Sequence, residues 1–376
     1  MRLTAIDICK GIAIILMVIG HTEFGPLMKF IYEFHMPIFF IAAGYCFSEK
    51  YLDDGLTFVK KRFKGLYLPF LKWSVIFLCL HNLWFKIGLL NEQYGNFMGG
   101  VTHPYSLHTF EQRLWSCVFN MSGYDEFITG AYWFFRGLLV ASIGFWVLFS
   151  LLRKVHMLRG DSLRITLAIG GIAYGLALWK CGQGLKVTGL AQGGYRDLMG
   201  LLFFAVGYAF RLRPQILQRL TWWKALLCFV LVFAASRFFP ASMTFSASIL
   251  RCLYLPLPAV AGFLMTYWIA SRIAERPSVG QRFLVYCGQH TLCIYLFHTL
   301  VFKLVSALKI WYYGLDWGHI GDHMVVHYEK RDPFWILYTL VAVLLPLVWE
   351  RQYDKLFPDG LFSFIKDKVK RARLAD

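Results

Sequence analysis

The segment KGIAIILMVIGH spans residues 10–21 and sets ten uncharged residues between Lys10 and His21. A run this apolar favours the interior of a bilayer, where ionisable groups are costly and mark pairing or function. At about 3.6 residues per turn, eleven positions make close to three turns. Lys10 and His21 therefore share one helix face, roughly 16 Å apart along the axis. Asp7 lies one turn before Lys10 on the same stripe. The chain thus opens with a membrane helix that has a charged pair near one end and an imidazole near the other.

Composition extends this reading to the whole chain. Of 376 residues, 58% are hydrophobic and 16% charged, with a mean hydropathy of +0.52. A soluble domain carries roughly a quarter charged residues. The expected class is all-α and polytopic, a multi-span membrane protein. The first apolar run ends at Gly20-His21 without a small-residue cleavage site, so it is expected to be retained. The nine cysteines form no CxxC pair, and most lie in apolar runs (Cys46, Cys79, Cys228, Cys252, Cys293). They read as small buried hydrophobes.

About ten apolar segments follow one another: 5–22, 31–48, 66–86, 131–152, 164–181, 196–211, 224–239, 249–271, 285–307 and 334–350. Each is near the length that crosses a bilayer as a helix. With the amino terminus inside, 24 Lys and Arg residues fall in inner loops and the tail, against 10 in outer loops. This asymmetry places both termini inside. The expected organisation is a membrane domain over 1–350 and a basic cytoplasmic tail over 351–376. The net charge of +17 is read first as this topology signal. The tail has a second use against anionic lipid, and nucleic acid is not an expected partner.

Two outer loops are long, about 87–130 and 308–333, and rich in aromatic residues. They read either as an interfacial belt or as a lid over an outward-facing site. His319, His323 and His327 stand at i, i+4 spacing, but no carboxylate-rich frame supports a metal site, and none is expected.

The first helix suits an extended ligand, anionic at one end and reactive at the other. Coenzyme A has that shape: its phosphates need cations, and its pantetheine arm is about as long as the Lys10–His21 separation. A histidine takes a proton from a hydroxyl near neutral pH. A second reading leaves Lys10 paired with Asp7 and snorkelling, with His21 merely interfacial.

KGIAIILMVIGH, followed by YEFHMPIFFIAAGY over residues 32–45, resembles the acyltransferase 3 family of integral membrane acyltransferases, and within it the fucose 4-O-acetylase-like branch. In that family a basic residue, ten positions and a histidine mark the first helix. Lys10 and His21 occupy those places. Residues 39–45, FFIAAGY, match an FFxxSGY element with Ala43 where serine is usual. KKRFKGLYLP (60–69) resembles the family's basic approach to a proline, with Gly65 where many members carry arginine. AYWFFRGLLV (131–140) and TLCIYLFHTLV (291–301) are similar to its tryptophan-phenylalanine segment and its late histidine helix. The resemblance implies transfer of an acyl group, usually acetyl from cytoplasmic acetyl-CoA. The implied acceptor is a hydroxyl of a surface glycan or its lipid-linked precursor, and the implied setting is the bacterial inner membrane.

The candidate residues follow. His21 is the expected general base, with Asp7 holding Lys10. Lys10, Arg62 and Lys64 are expected on the coenzyme A phosphates, although the inside-positive signal alone also accounts for the last two. His35, Glu33, Trp133 and His298 are expected at the acceptor. His35 has a second reading, a hydrogen bond to backbone near Pro37. Trp133 equally reads as an interfacial anchor, and His298 as a polar packing residue. Glu23 is a further candidate for orienting an imidazole. Arg136, Arg251 and Lys303 lie in apolar segments and require partners or a cavity. No nucleophile is needed; Cys9, beside Lys10, is badly placed for an outward acceptor. The rival reading is a glycan exporter or flippase without acyl transfer, and an enzymatic rival uses a longer or charged acyl donor such as succinyl.

Overall fold

The computed structural model describes residues 4–22, 24–95, 103–155, 160–188, 190–243, 248–326 and 332–356. Among them there is helix and no strand. Helix α1 (Thr4–His21) leads to α2 (Gly25–Tyr32), α3 (His35–Tyr45) and α4, continuous over Gly55–Lys86. α5 (Leu107–Asn120) lies in the first long connection. Then come α6 (Trp133–Leu152), α7 (Ser162–Gly182), α8 (Tyr195–Leu212) and α9 (Trp222–Phe238). α10 (Ile249–Tyr254) abuts α11 (Pro256–Ala274), and α12 (Val279–Gln289) abuts α13 (Thr291–Tyr313). α14 (Phe334–Leu356) completes the described chain.

Among the described residues, eight helices are long and apolar enough to cross a bilayer. Two of the ten expected spans stand outside that set for local reasons. α8 carries Arg196, Asp197 and Arg211, and α9 has only 17 residues. Both are nonetheless packed into the bundle, α8 against α3, α6 and α7, and α9 against α2 and α11. The expected span 285–307 is also displaced. The helix breaks at His290, whose Nδ1 meets the Glu350 carboxylate at 2.9 Å, and α13 starts afresh at Thr291. His298 therefore lies two turns into its helix rather than nearly four.

α1 sits at the centre, in contact with α3, α11, α12, α13 and α14. Its approach to α12 needs two glycines. A Cβ at Gly11 would collide with the Leu284 carbonyl, and one at Gly288 with the Asp7 carbonyl. Small residues let membrane helices pack backbone to backbone, where dispersion rather than water exclusion drives association. That contact brings Gln289 onto Asp7.

α13 runs parallel to α1 and α14 antiparallel to it. Cys293 meets the Pro346 carbonyl, and Ser306 meets Tyr338 further along. The start of α1 and the end of α14 thus lie at one end of the bundle, as the charge distribution requires.

α4 contains a π-turn over Phe63–Tyr67, closed by the Leu68 amide on the Phe63 carbonyl. The cause is Pro69. It has no N–H to give, and its ring crowds the carbonyl four residues earlier. Widening the helix relieves that clash, and such bulges recur at functional sites.

The intramembrane cations find partners. Arg136 pairs with Asp197 at 2.9 Å. Lys303 donates to the carbonyls of Ile320 and Asp322 at 2.8 and 2.6 Å. Lys309 donates to the Val326 carbonyl at 2.6 Å and pairs with Asp332. These two lysines pin the second long loop down onto α13. The first loop is clasped by His81, buried between the Asp125 carboxylate (2.6 Å) and the His103 carbonyl (2.8 Å). Arg251, by contrast, is exposed on α10.

Candidate functional site

Two chambers lie end to end beside α1. The lower one, about 320 Å³, is lined by Lys10, Ile14 and Met17 of α1, Ala43 and Cys46 at the end of α3, Gly65 and Leu66 of the π-turn, and the first turn of α13. The upper one, about 390 Å³, is lined by Met17 and His21 of α1, His35, Trp133, Arg196, and His323 and Met324 of the second loop. Lys10, Ile14, Met17 and His21 form the i, i+4, i+7, i+11 stripe that helical periodicity dictates. Met17, Met36 and Tyr295 belong to both walls. The passage expected between cation and imidazole is therefore two chambers sharing a septum. Two of its three members are methionines, the most adaptable of apolar side chains.

At the lower end, the Lys10 ammonium meets Asp7 at 2.8 Å, and Gln289 donates to the other Asp7 oxygen at 3.2 Å. Asp7 thus holds Lys10 and lies about four turns from His21. Arg62 stacks over the Phe58 ring at 5.0 Å. It does not line the lower chamber, but it stands within electrostatic reach of Cys46 at that chamber's edge, as do Lys10 and Arg211. Lys64 is exposed. Arg211 donates to the Tyr45 carbonyl at 3.2 Å. Cys9 is fully buried beside this site and faces neither chamber.

At the upper end, His21 Nδ1 and His298 Nε2 are 2.9 Å apart, and the rings stack with centroids 5.0 Å apart. The proton positions follow from the neighbours. His298 Nδ1 faces the carbonyls of Tyr295 (2.9 Å) and Ile294 (3.3 Å). A carbonyl only accepts, so His298 Nδ1 carries the hydrogen. In the neutral ring Nε2 then holds a lone pair and accepts from His21 Nδ1–H. That leaves His21 Nε2 with its own lone pair, and no hydrogen bond among the described residues engages it. The arrangement fixes the tautomer of His21, as an orienting partner does for many histidines.

His35 lines the upper chamber and also donates from Nδ1 to the Ile31 carbonyl at 2.8 Å. Trp133 reaches the chamber, but the Arg196 guanidinium lies over its ring at 4.3 Å, so that face is covered. His298 lines neither chamber; it stands behind His21. Glu33 is also outside both. It is fully buried, and Oε1 accepts from the Ala241 amide at 2.9 Å.

Both readings of the long loops have residues behind them. Trp115, Trp311, Tyr312 and Trp317 are exposed, as a belt requires, whereas His323 and Met324 roof the upper chamber. His319 bonds Asp322 at 3.2 Å. Glu23 and His327 lie outside the described residues. Among the described residues no three His, Cys, Asp or Glu side chains are arranged to hold a metal ion.

Periodicity along one helix does not reveal everything. Arg196 and Arg211 count among the loop charges of the topology argument, although an arginine-aspartate step inside an apolar run, Arg196-Asp197, is itself a signal. Met17, Met36 and Tyr295 carry no sequence signal.

The fold and the chambers define an integral membrane helical bundle with a cation and an imidazole on one stripe of its first helix. The family model of the acyltransferase domain matches residues 3–351, and the chain belongs to the acyltransferase 3 family. Comparison with curated proteins and with solved structures finds no match.

Proposed function

We propose that the protein transfers an acetyl group from cytoplasmic acetyl-CoA to a hydroxyl of an extracytoplasmic or lipid-linked glycan at the bacterial inner membrane. The observation that carries this is His21, hydrogen-bonded to His298 behind it, on the wall of a chamber that shares a septum with the Lys10 chamber. The coenzyme A phosphates lie on Lys10, Arg62 and Arg211, with Lys64 adding long-range attraction. The pantetheine arm occupies the apolar lower chamber, and displacement of Met17 and Met36 admits the thioester to the upper one. The acceptor hydroxyl gives its proton to His21 Nε2 while its oxygen attacks the thioester carbonyl. The C–S bond breaks, and the departing thiolate takes that proton from His21. His298 receives the hydrogen bond from His21 Nδ1–H throughout and steadies the imidazolium. No covalent acyl-enzyme is required.

The test uses purified protein in lipid nanodiscs with radiolabelled acetyl-CoA. Wild type is expected to move label to isolated surface glycan, or to release acetate slowly without an acceptor. His21→Ala is expected to lose about 10²- to 10⁴-fold of the rate, the usual contribution of a positioned base. Retained transfer removes His21 from the role. A protein that only exports glycan neither binds nor consumes acetyl-CoA, and one specific for succinyl leaves acetyl-CoA intact.

A further inference from the structure

The upper chamber offers a second imidazole that the proposed transfer does not use. His35, the first residue of α3, lines it and is otherwise buried. Its Nδ1 meets the Ile31 carbonyl at 2.8 Å. A carbonyl only accepts, so Nδ1 carries the hydrogen, and in the neutral ring Nε2 holds a lone pair. No hydrogen bond among the described residues engages that nitrogen. His21 Nε2 has the same character, so the chamber has two hydrogen-bond acceptors of one kind on its walls.

The two rings are fixed relative to one another. His35 stacks on Tyr32 with centroids 5.1 Å apart, and the Tyr32 hydroxyl donates to the Gly20 carbonyl at 3.1 Å, one residue before His21. Gly20 makes room for that ring, since a Cβ there would collide with it. The imidazoles of His21 and His35 also lie within electrostatic reach of each other. Protonating both would set two like charges in one buried chamber, which is costly. When His21 takes a proton, His35 therefore stays neutral and keeps its lone pair.

From this geometry we infer that His35 Nε2 accepts a hydrogen bond from a second hydroxyl of the acceptor sugar, and so selects the hydroxyl that His21 deprotonates. The inference rests on the acyltransferase reading above. A sugar presents several hydroxyls of similar reactivity, and a single base does not choose among them. A second fixed acceptor does, because the sugar must then lie so that each nitrogen meets a hydroxyl. A sugar without the second hydroxyl leaves a desolvated lone pair unmatched, the kind of loss by which polar sites discriminate. His35 binds substrate in this scheme and does not take its proton.

The experiment uses protein in lipid nanodiscs, acetyl-CoA, and unacetylated glycan isolated from cells that lack this protein. The position of the acetyl group in the product is read by NMR. Wild type is expected to acetylate one position. His35→Phe keeps a ring on Tyr32, and the Ile31 carbonyl still accepts from the Phe34 amide at 3.2 Å. Its acceptor KM is expected to rise about tenfold, and its acetyl groups to spread over two or more positions. Its acetyl-CoA KM and its slow release of acetate without acceptor should stay within twofold of wild type. His35→Gln, which sets a carbonyl oxygen near the place of Nε2, should recover part of the selectivity. His35→Asn, with an amide near Nδ1 and nothing at Nε2, carries the same expectations as His35→Phe should that variant not fold. A folded variant with wild-type acceptor KM and a single acetylated position overturns the inference. So does loss of acetate release together with transfer, which would make His35 part of the proton transfer itself. Absence of any transfer by wild type overturns the acyltransferase reading along with it, whereas an unchanged product in the His35 variants overturns this inference alone.

Discussion

His21 and His298 are each ordinary histidines, and their value comes from the hydrogen bond between them. Because the Tyr295 and Ile294 carbonyls fix the hydrogen on His298 Nδ1, that ring can only accept from His21. Removing His298 frees the His21 ring to rotate and to populate the wrong tautomer. His298→Phe keeps the volume and loses the acceptor. Its kcat is expected to fall about 10²-fold or more, with both KM values little changed, because the lost interaction orients the base without holding substrate. An equal loss in KM would make His298 a binding residue, as the sequence expectation had it. At the other end of α1, Lys10→Ala is expected to raise the acetyl-CoA KM about tenfold, the size of one charge-assisted contact, and to spare the acceptor KM. Initial-rate kinetics with each substrate varied in turn separates these outcomes.

Among the elements, α12 matters out of proportion to its length. Its close approach to α1 needs the missing side chains of Gly11 and Gly288, and it ends in Gln289, which holds Asp7 and through it Lys10. Gly288→Val forces a branched side chain into the Asp7 carbonyl. Overpacking of this kind costs about 1–3 kcal/mol or more. The variant is expected to melt lower in detergent and to show a raised acetyl-CoA KM in whatever remains folded. A Gly288→Ala protein of unchanged melting temperature and kinetics would show that the two backbones are not in contact. The second long loop is an element of a different kind, anchored by buried ammonium groups. Lys303→Met removes the donor for the Ile320 and Asp322 carbonyls and leaves them unsatisfied, a loss of about 1–3 kcal/mol each at most. Hydrogen exchange in the loop that bears His323 and Met324 is expected to quicken there before it does in the transmembrane helices. Unchanged exchange would mean that Lys309 alone holds the loop.

For the whole molecule, the two chambers and the charge distribution together define a direction. Cys46 is exposed at the edge of the lower chamber, among Lys10, Arg62 and Arg211. In sealed vesicles a membrane-impermeant maleimide is expected to reach Cys46 from the cytoplasmic side alone. Saturating acetyl-CoA is expected to slow that labelling severalfold. Labelling from the opposite face would invert the orientation, and labelling indifferent to acetyl-CoA would remove the donor from this chamber.

Much of this was legible in the residues themselves. Apolar length and the scarcity of charge determined an all-α membrane bundle, because bilayer thickness and backbone hydrogen bonding leave few other solutions. The 3.6-residue period placed Lys10, Met17 and His21 on one stripe, since that relation lies within a single helix. Tertiary structure decided the rest, because the remaining relations join residues far apart in the chain. Nothing local says that His298 turns to His21 across 277 positions, or that Arg196 stacks on Trp133 while Asp197 turns to Arg136. Nor does sequence separate a loop arginine that reports topology from one that faces a ligand: both are the same residue type at the same membrane depth. Only packing of helices around α1 determines which side chains face the chambers and which face lipid.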